Sequence, residues 1–129
     1  MWKLACVTSV FVLAACASAP PSPSDTSFAQ WSSYRAQVLA QRDEGKLTAA
    51  QAESNMRGKF EELFGADPTM DGALAYERDL YVAADAGKLP RGEAEALADA
   101  RIDEIMQRRA AQQAVRDSLD SRYPRDPEE

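Results

Sequence analysis

An all-α fold, two repeated helical hairpins packed as a small four-helix bundle, is what this 129-residue sequence predicts. Three observations carry the expectation. The chain matches itself at an offset of 42 positions, its apolar residues recur at helical spacing, and beyond residue 27 its prolines and glycines fall mainly where helices would end. No run alternates apolar and polar residues with period two, so strands are not expected.

In the repeat, residues 34–53 align on residues 76–95 without a gap. Identities fall at Tyr34/Tyr76, Asp43/Asp85, Gly45/Gly87, Lys46/Lys88, Leu47/Leu89, Ala52/Ala94 and Glu53/Glu95, and Glu62/Glu104 extends the match. A shared Asp-x-Gly-Lys-Leu block is more than alanine-rich composition would place in register. The first helix is expected over 28–44, with Trp31, Tyr34 and Val38 on its seam and Leu39 at the flank. Gly45 then supplies the left-handed residue that stops a helix, because it has no Cβ to clash. Leu47 is placed to tuck back as an apolar pin, and the Thr48 hydroxyl can cap the next helix, 48–64, whose seam is Ala52, Met56, Phe60 and Leu63.

Gly65-Ala66-Asp67-Pro68 separates the units, with Asp67 as cap and Pro68 as first helical residue. The third helix, 68–86, is expected to bury Ala73, Tyr76 and Leu80, with Tyr81 at the flank. Gly87 and Leu89 repeat the stop and the pin, and Pro90 suits an early position of the fourth helix, 90–121, with the seam Ala94, Ala98, Ile102 and Ile105. The first unit thus covers 28–64 and the second 68–106. Many seam residues are alanines, which let helix axes approach closely.

The fourth helix outruns its counterpart through an extension, 107–121. There Ala111, Val115 and Leu119 form an apolar stripe beside Arg108, Arg109 and Arg116. Either this stripe folds over the bundle or it meets a partner; it is the candidate partner-binding surface. Residues 122–129 are expected to be a frayed tail.

Ahead of the domain, Lys3 and the apolar run 4–13 have the parts of a secretory signal. The run is too short to span a bilayer, which needs ~20 mostly apolar residues. Its end, Leu13-Ala14-Ala15-Cys16, resembles the lipobox of bacterial lipoproteins. That resemblance implies a signal peptide over 1–15 and a Cys16 that carries a diacylglyceryl thioether, becomes the new N-terminus and is acylated on nitrogen. An ordinary signal peptide cut at Ala17-Ser18-Ala19 is the alternative. Several acyl chains would hold firmly, since each buried methylene contributes ~0.8 kcal/mol. Ala17 is not an aspartate, so in a cell with two membranes the resemblance implies the periplasm-facing leaflet of the outer membrane. Residues 16–27, with three prolines and nothing to bury, read as a spacer reaching up to ~30 Å from the lipid at ~3.1 Å per residue.

With Cys6 leaving in the signal and Cys16 consumed by lipid, no disulfide is available to the mature chain. The formal charge is −6, and loss of Lys3 makes the mature chain more acidic. Such a chain, without a basic stripe, is a poor candidate for nucleic acid or for electrostatic docking on anionic lipid.

No catalytic residue, cofactor or metal emerges. There is no histidine, which removes histidine-based triads and the Glu-x-x-His motifs of di-metal bundles. The carboxylate pairs Glu61/Glu62, Asp103/Glu104 and Glu93/Glu95 lie among basic residues on an expected solvated surface. An EF-hand reading of the turns fails because Val82 and Ala84, or Ala40 and Arg42, stand at the first and third ligand positions. Tyr34 and Tyr76 could form a ligand-binding aromatic pair, but such residues are more often core with a hydroxyl at the rim. The turn with its flanking helices is similar to the short hairpins of SHOCT domains over about 30 residues per copy, which implies a helical interaction module. The expectation is therefore a non-enzymatic cell-envelope lipoprotein. Its lipid anchor would hold it on the membrane, and its partner would be an envelope protein or a second copy. The alternatives are a peptidoglycan-active enzyme and a periplasmic inhibitor or chaperone-like binder.

Overall fold

In the computed structural model of the chain, residues 23–124 are described, so Cys16, the signal segment before it and most of the spacer lie outside the described residues. The described residues form four helices and no strand: α1 (Pro23–Asp43), α2 (Ala49–Phe64), α3 (Pro68–Asp85) and α4 (Arg91–Arg122). Consecutive helices pack side by side, α1 on α2, α2 on α3 and α3 on α4, while α1 and α4 meet at only a few points. The result is a small four-helix bundle that is open along its α1–α4 side.

Each hairpin turn is built by its glycine. Gly45 has φ 74° and Gly87 has φ 73°, values that cost an L-residue with a Cβ but not glycine. The flanking hydrogen bonds are the same in both turns. The Lys46 N–H donates to the Gln41 carbonyl and the Gly45 N–H to that of Arg42; Lys88 donates to Ala83, and Gly87 to Ala84, all at 2.9–3.0 Å. This is the Schellman pattern, which satisfies two of the carbonyls a helix end leaves open. Leu47 packs against the core as expected, and Leu89 is half-buried.

The starts of the second helices differ. Thr48 makes a full capping box, its Oγ1 accepting from the Gln51 N–H at 3.1 Å while Gln51 Oε1 accepts from the Thr48 N–H at 2.9 Å. Pro90 stands one residue ahead of α4 as its cap and offers no side-chain hydrogen bond. Between the hairpins, Asp67 caps α3 through Oδ1, which accepts from the N–H of Thr69 at 2.9 Å and of Met70 at 3.3 Å, with Pro68 as first helical residue.

The helix boundaries need two corrections. α1 begins at Pro23, five residues into the expected spacer; a proline costs nothing at a first helical position, whose N–H would be unbonded anyway. At the other end Arg122, the first residue of the expected tail, closes α4, and residues 125–129 of that tail lie outside the described residues.

The seams of α2 and α4 are where the spacing puts them, with Ala52, Met56 and Phe60 buried on one and Ala94, Ala98, Ile102 and Ile105 on the other. Leu63 is half-buried. Trp31 of α1 meets Phe60 edge-on, with ring centroids 5.1 Å apart at 82°, a preferred aromatic geometry. The third helix departs from expectation. It buries Met70, Ala73, Leu74, Glu77 and Tyr81, whereas Tyr76 is 43% exposed and Leu80 only half-buried. α3 lies between α2 and α4, so it must bury a wider face than α1, and the phase read by analogy with α1 is rotated.

Candidate functional site

The sequence offered Ala111, Val115 and Leu119 as a partner surface, and the structure leaves them unburied. Val115 is 60% exposed, Leu119 50% and Tyr123 75%, and Ala111 is exposed as well. The reason is length. α4 has 32 residues against the 18 of α3, about 48 Å against 27 Å at 1.5 Å per residue.

The point where α4 leaves the bundle is marked by Arg109. Its Nη1 donates to Asp67 Oδ2 at 3.0 Å and its Nη2 to the Phe64 carbonyl at 3.3 Å. Its guanidinium also lies over the rings of Phe60 and Phe64, 5.2 and 5.4 Å from their centroids. Arg109 therefore clamps α4 to the α2–α3 junction. Residues 110–122, beyond the clamp, are exposed except for a half-buried Gln113. No helix among the described residues is long and apolar enough to cross a membrane.

The open α1–α4 side is a groove with an apolar floor of Phe28, Trp31, Ile102 and Met106. Ion pairs tie its two walls at two levels. Arg35 Nη2 donates to Asp99 Oδ1 at 2.8 Å, and Arg91 pairs with Asp43 nearer the hairpin turns. Arg35 also reaches α3, where it pairs with the buried Glu77. Only one Glu77 oxygen is used, and Oε1 has no hydrogen-bond partner. Burial pushes the Glu77 carboxyl up from its ordinary value, against the pull of the Arg35 charge in the other direction.

One turn along, the Arg42 guanidinium lies 4.1 Å from the centroid of the Tyr81 ring and donates to Asp85 Oδ2 at 2.9 Å. Burial, with the Glu77 charge adding to it, pushes the Tyr81 phenol up to about 12. On α2, the buried Glu53 accepts from Arg57 and, at 2.8 Å, from Arg78 of α3. These charges bolt helices together, and Arg42, Glu53, Glu77, Arg78 and Tyr81 line a small cavity between α1, α2 and α3.

Sequence reasoning missed them. One signal was present, since Arg35 and Glu77 occupy equivalent positions of the repeat with opposite charge. Their pairing across the bundle depends on which helices are neighbours, which local spacing does not encode.

Comparison with known proteins gives no precedent. No family model, curated protein or solved structure matches the chain. The other residues singled out by the sequence are not brought together. Tyr34 packs at the edge of the core with the Lys59 ammonium 5.9 Å from its ring centroid, while Tyr76 faces solvent. Of the carboxylate pairs, Glu62 is bonded to Lys59, Glu95 to Arg91, and Glu104 to Arg101 and Arg108. Glu61, Glu93 and Asp103 are exposed. Among the described residues no cluster of three potential metal ligands occurs.

Proposed function

We propose that this chain is a non-enzymatic lipoprotein of the cell envelope: a lipid anchor at Cys16 holds a small helical bundle at the membrane, and the end of α4 is its contact element. The observation that carries the reading is the α4 overhang. A helix that continues past its last clamp with Val115, Leu119 and Tyr123 in solvent leaves apolar area without an internal partner. The lipobox-like Leu13-Ala14-Ala15-Cys16 supports the anchor, and anchoring raises the effective concentration of a weak contact in the membrane plane. The carboxylate pairs are divided between solvent and short-range ion pairs, an arrangement that suits a contact element better than a carboxylate-lined cleft. Metabolic labelling with radioactive palmitate tests the anchor. The wild-type chain takes up label, and Cys16→Ser accumulates as an unlabelled precursor; continued labelling of that variant would overturn the assignment.

A further inference from the structure

We infer that the cavity between α1, α2 and α3 is a binding site for one water molecule, which accepts from the Arg42 Nε–H, donates to Glu77 Oε1 and so joins α1 to α3 through the core. The site lies wholly within the bundle and stands whether or not Cys16 carries lipid.

α1 and α3 are not neighbours. Each packs on α2, and their own backbones do not come close, so long side chains span the diagonal between them. Arg35 does so by pairing with Glu77 Oε2, and Arg42 by donating to Asp85 Oδ2 at 2.9 Å. Each link leaves one polar atom over. Arg42 spends Nη1 on Asp43 and Nη2 on Asp85, while its Nε has no partner; Glu77 spends Oε2 on Arg35, while its Oε1 has none. Neither atom can turn to solvent, since the two side chains are 5% and 1% exposed. A buried donor or acceptor left unpaired is costly and rare in folded proteins. Here one of each belongs to residues on the wall of the same cavity.

The size and the chemistry of the cavity both fit a water. Arg42, Glu77, Glu53 and Tyr81 line it together with Ala49 and Ala52, and no residue around it is exposed. It leaves about 10 Å³ for the centre of a water molecule, roughly the room that one requires. An N–H needs an acceptor and a carboxylate oxygen needs a donor, so the occupant must be both. A metal ion cannot accept from Nε–H, and a halide cannot donate to Oε1. A water does each and has one O–H left over. The Glu53 carboxylate, on the same wall, is available to accept it, which brings the water to the ~3 hydrogen bonds usual for a buried one. The space exists because α2 presents the small Ala49 and Ala52 to long charged side chains. The second unit has no counterpart, as Arg42 aligns with Ala84.

The test uses the full chain, nitrogen-15 labelled and held in detergent micelles, with the Arg42 Nε–H as the reporter. Its cross-peak to the water resonance should have opposite signs in NOESY and ROESY spectra, the signature of direct contact with a water held longer than the protein takes to tumble. Tyr81→Phe and Glu77→Gln delete the phenol and carboxyl protons that would imitate such a water, and each should keep the cross-peak. Glu77→Met, which deletes the acceptor at similar volume, should abolish it. Cross-peaks of equal sign in the wild-type chain, which report exchange with bulk water, would overturn the inference, as would no cross-peak at all. Loss of the signal in Tyr81→Phe or Glu77→Gln would trace it to the deleted proton and overturn the site, and its survival in Glu77→Met would overturn the bridge to α3. Should Glu77→Met fail to fold, the other three spectra decide by themselves.

Discussion

At the first hairpin turn Gly45 has φ 74° and at the second Gly87 has φ 73°, with the same pair of backbone bonds closing each, yet the helices leading into these turns bury different residues. Position 31 of α1 is a tryptophan seated on Phe60; its equivalent on α3, Ala73, is a small residue equally buried. Arg35, partly buried on α1, corresponds to Glu77, which is 1% exposed on α3. Leu39 at the core's edge corresponds to the buried Tyr81. The turn is a local device and repeats with its sequence. Burial is set by the number of neighbours, and α3 has two full ones where α1 has one. Divergence between the copies therefore falls on the helices and spares the loop.

That contrast can be broken most forcefully at its largest side chain. Trp31→Ala should cost about 3–5 kcal/mol through lost burial and the cavity left against Phe60, read as a lower midpoint in urea. Ala73→Leu at the equivalent position should cost about 1–3 kcal/mol for the opposite reason, overpacking. If the two substitutions had similar effects when single and cancelled when combined, the copies would be interchangeable and the contrast wrong.

The local half of the comparison is sharpened by Gly45→Val and Gly87→Val. A Cβ built at either glycine meets no atom within 4 Å, so the cost is one of backbone conformation, about 1–2 kcal/mol, and it should be the same in both turns. Unequal losses in thermal melts would show that tertiary packing shapes the turns after all.

A smaller effect distinguishes the buried charge of α3 from its less buried counterpart on α1. A carboxyl whose folded pKa is raised binds its proton more tightly in the native state than in the unfolded chain. Its ionisation then lowers stability as pH rises from its ordinary value through the folded one, and stability returns as pH falls. Relative to Glu77→Gln, the wild-type protein should therefore gain stability as pH is lowered across that window. A relative loss there would mean that the Arg35 charge outweighs burial and that the pair is an ordinary stabilising ion pair.

Much of the fold was legible because its signals are short-range. The glycine stops, the Thr48 and Asp67 caps and the successive seam residues of α2 and α4 each depend on residues within one or two turns of one another, and the repeat shows the same local pattern twice. The start of α1 was hidden by Pro23, which reads as spacer but is equally at home in a first turn. The rotated face of α3 was not legible because it results from being central in the bundle, a property of topology. The candidate surface was legible as an asymmetry between the copies. Its boundary was not, since Arg109 ends the packed part of α4 by reaching a loop 42 residues earlier in the chain.

If the bundle is complete at Arg109, residues 110–122 are surface rather than core, and two variants compared in one thermal denaturation experiment test this. Removing every residue after Ala110 should shift Tm by no more than about 4 °C, as expected when exposed residues outside the packing are lost. Arg109→Ala in the full chain should shift it more, because about 1.5–3 kcal/mol is typical of hydrogen bonds to a charged group and this one also stacks on Phe60 and Phe64. A truncated chain that melts far below the Arg109→Ala variant, or loses its cooperative transition, would place the overhang in the core and contradict its role as a surface.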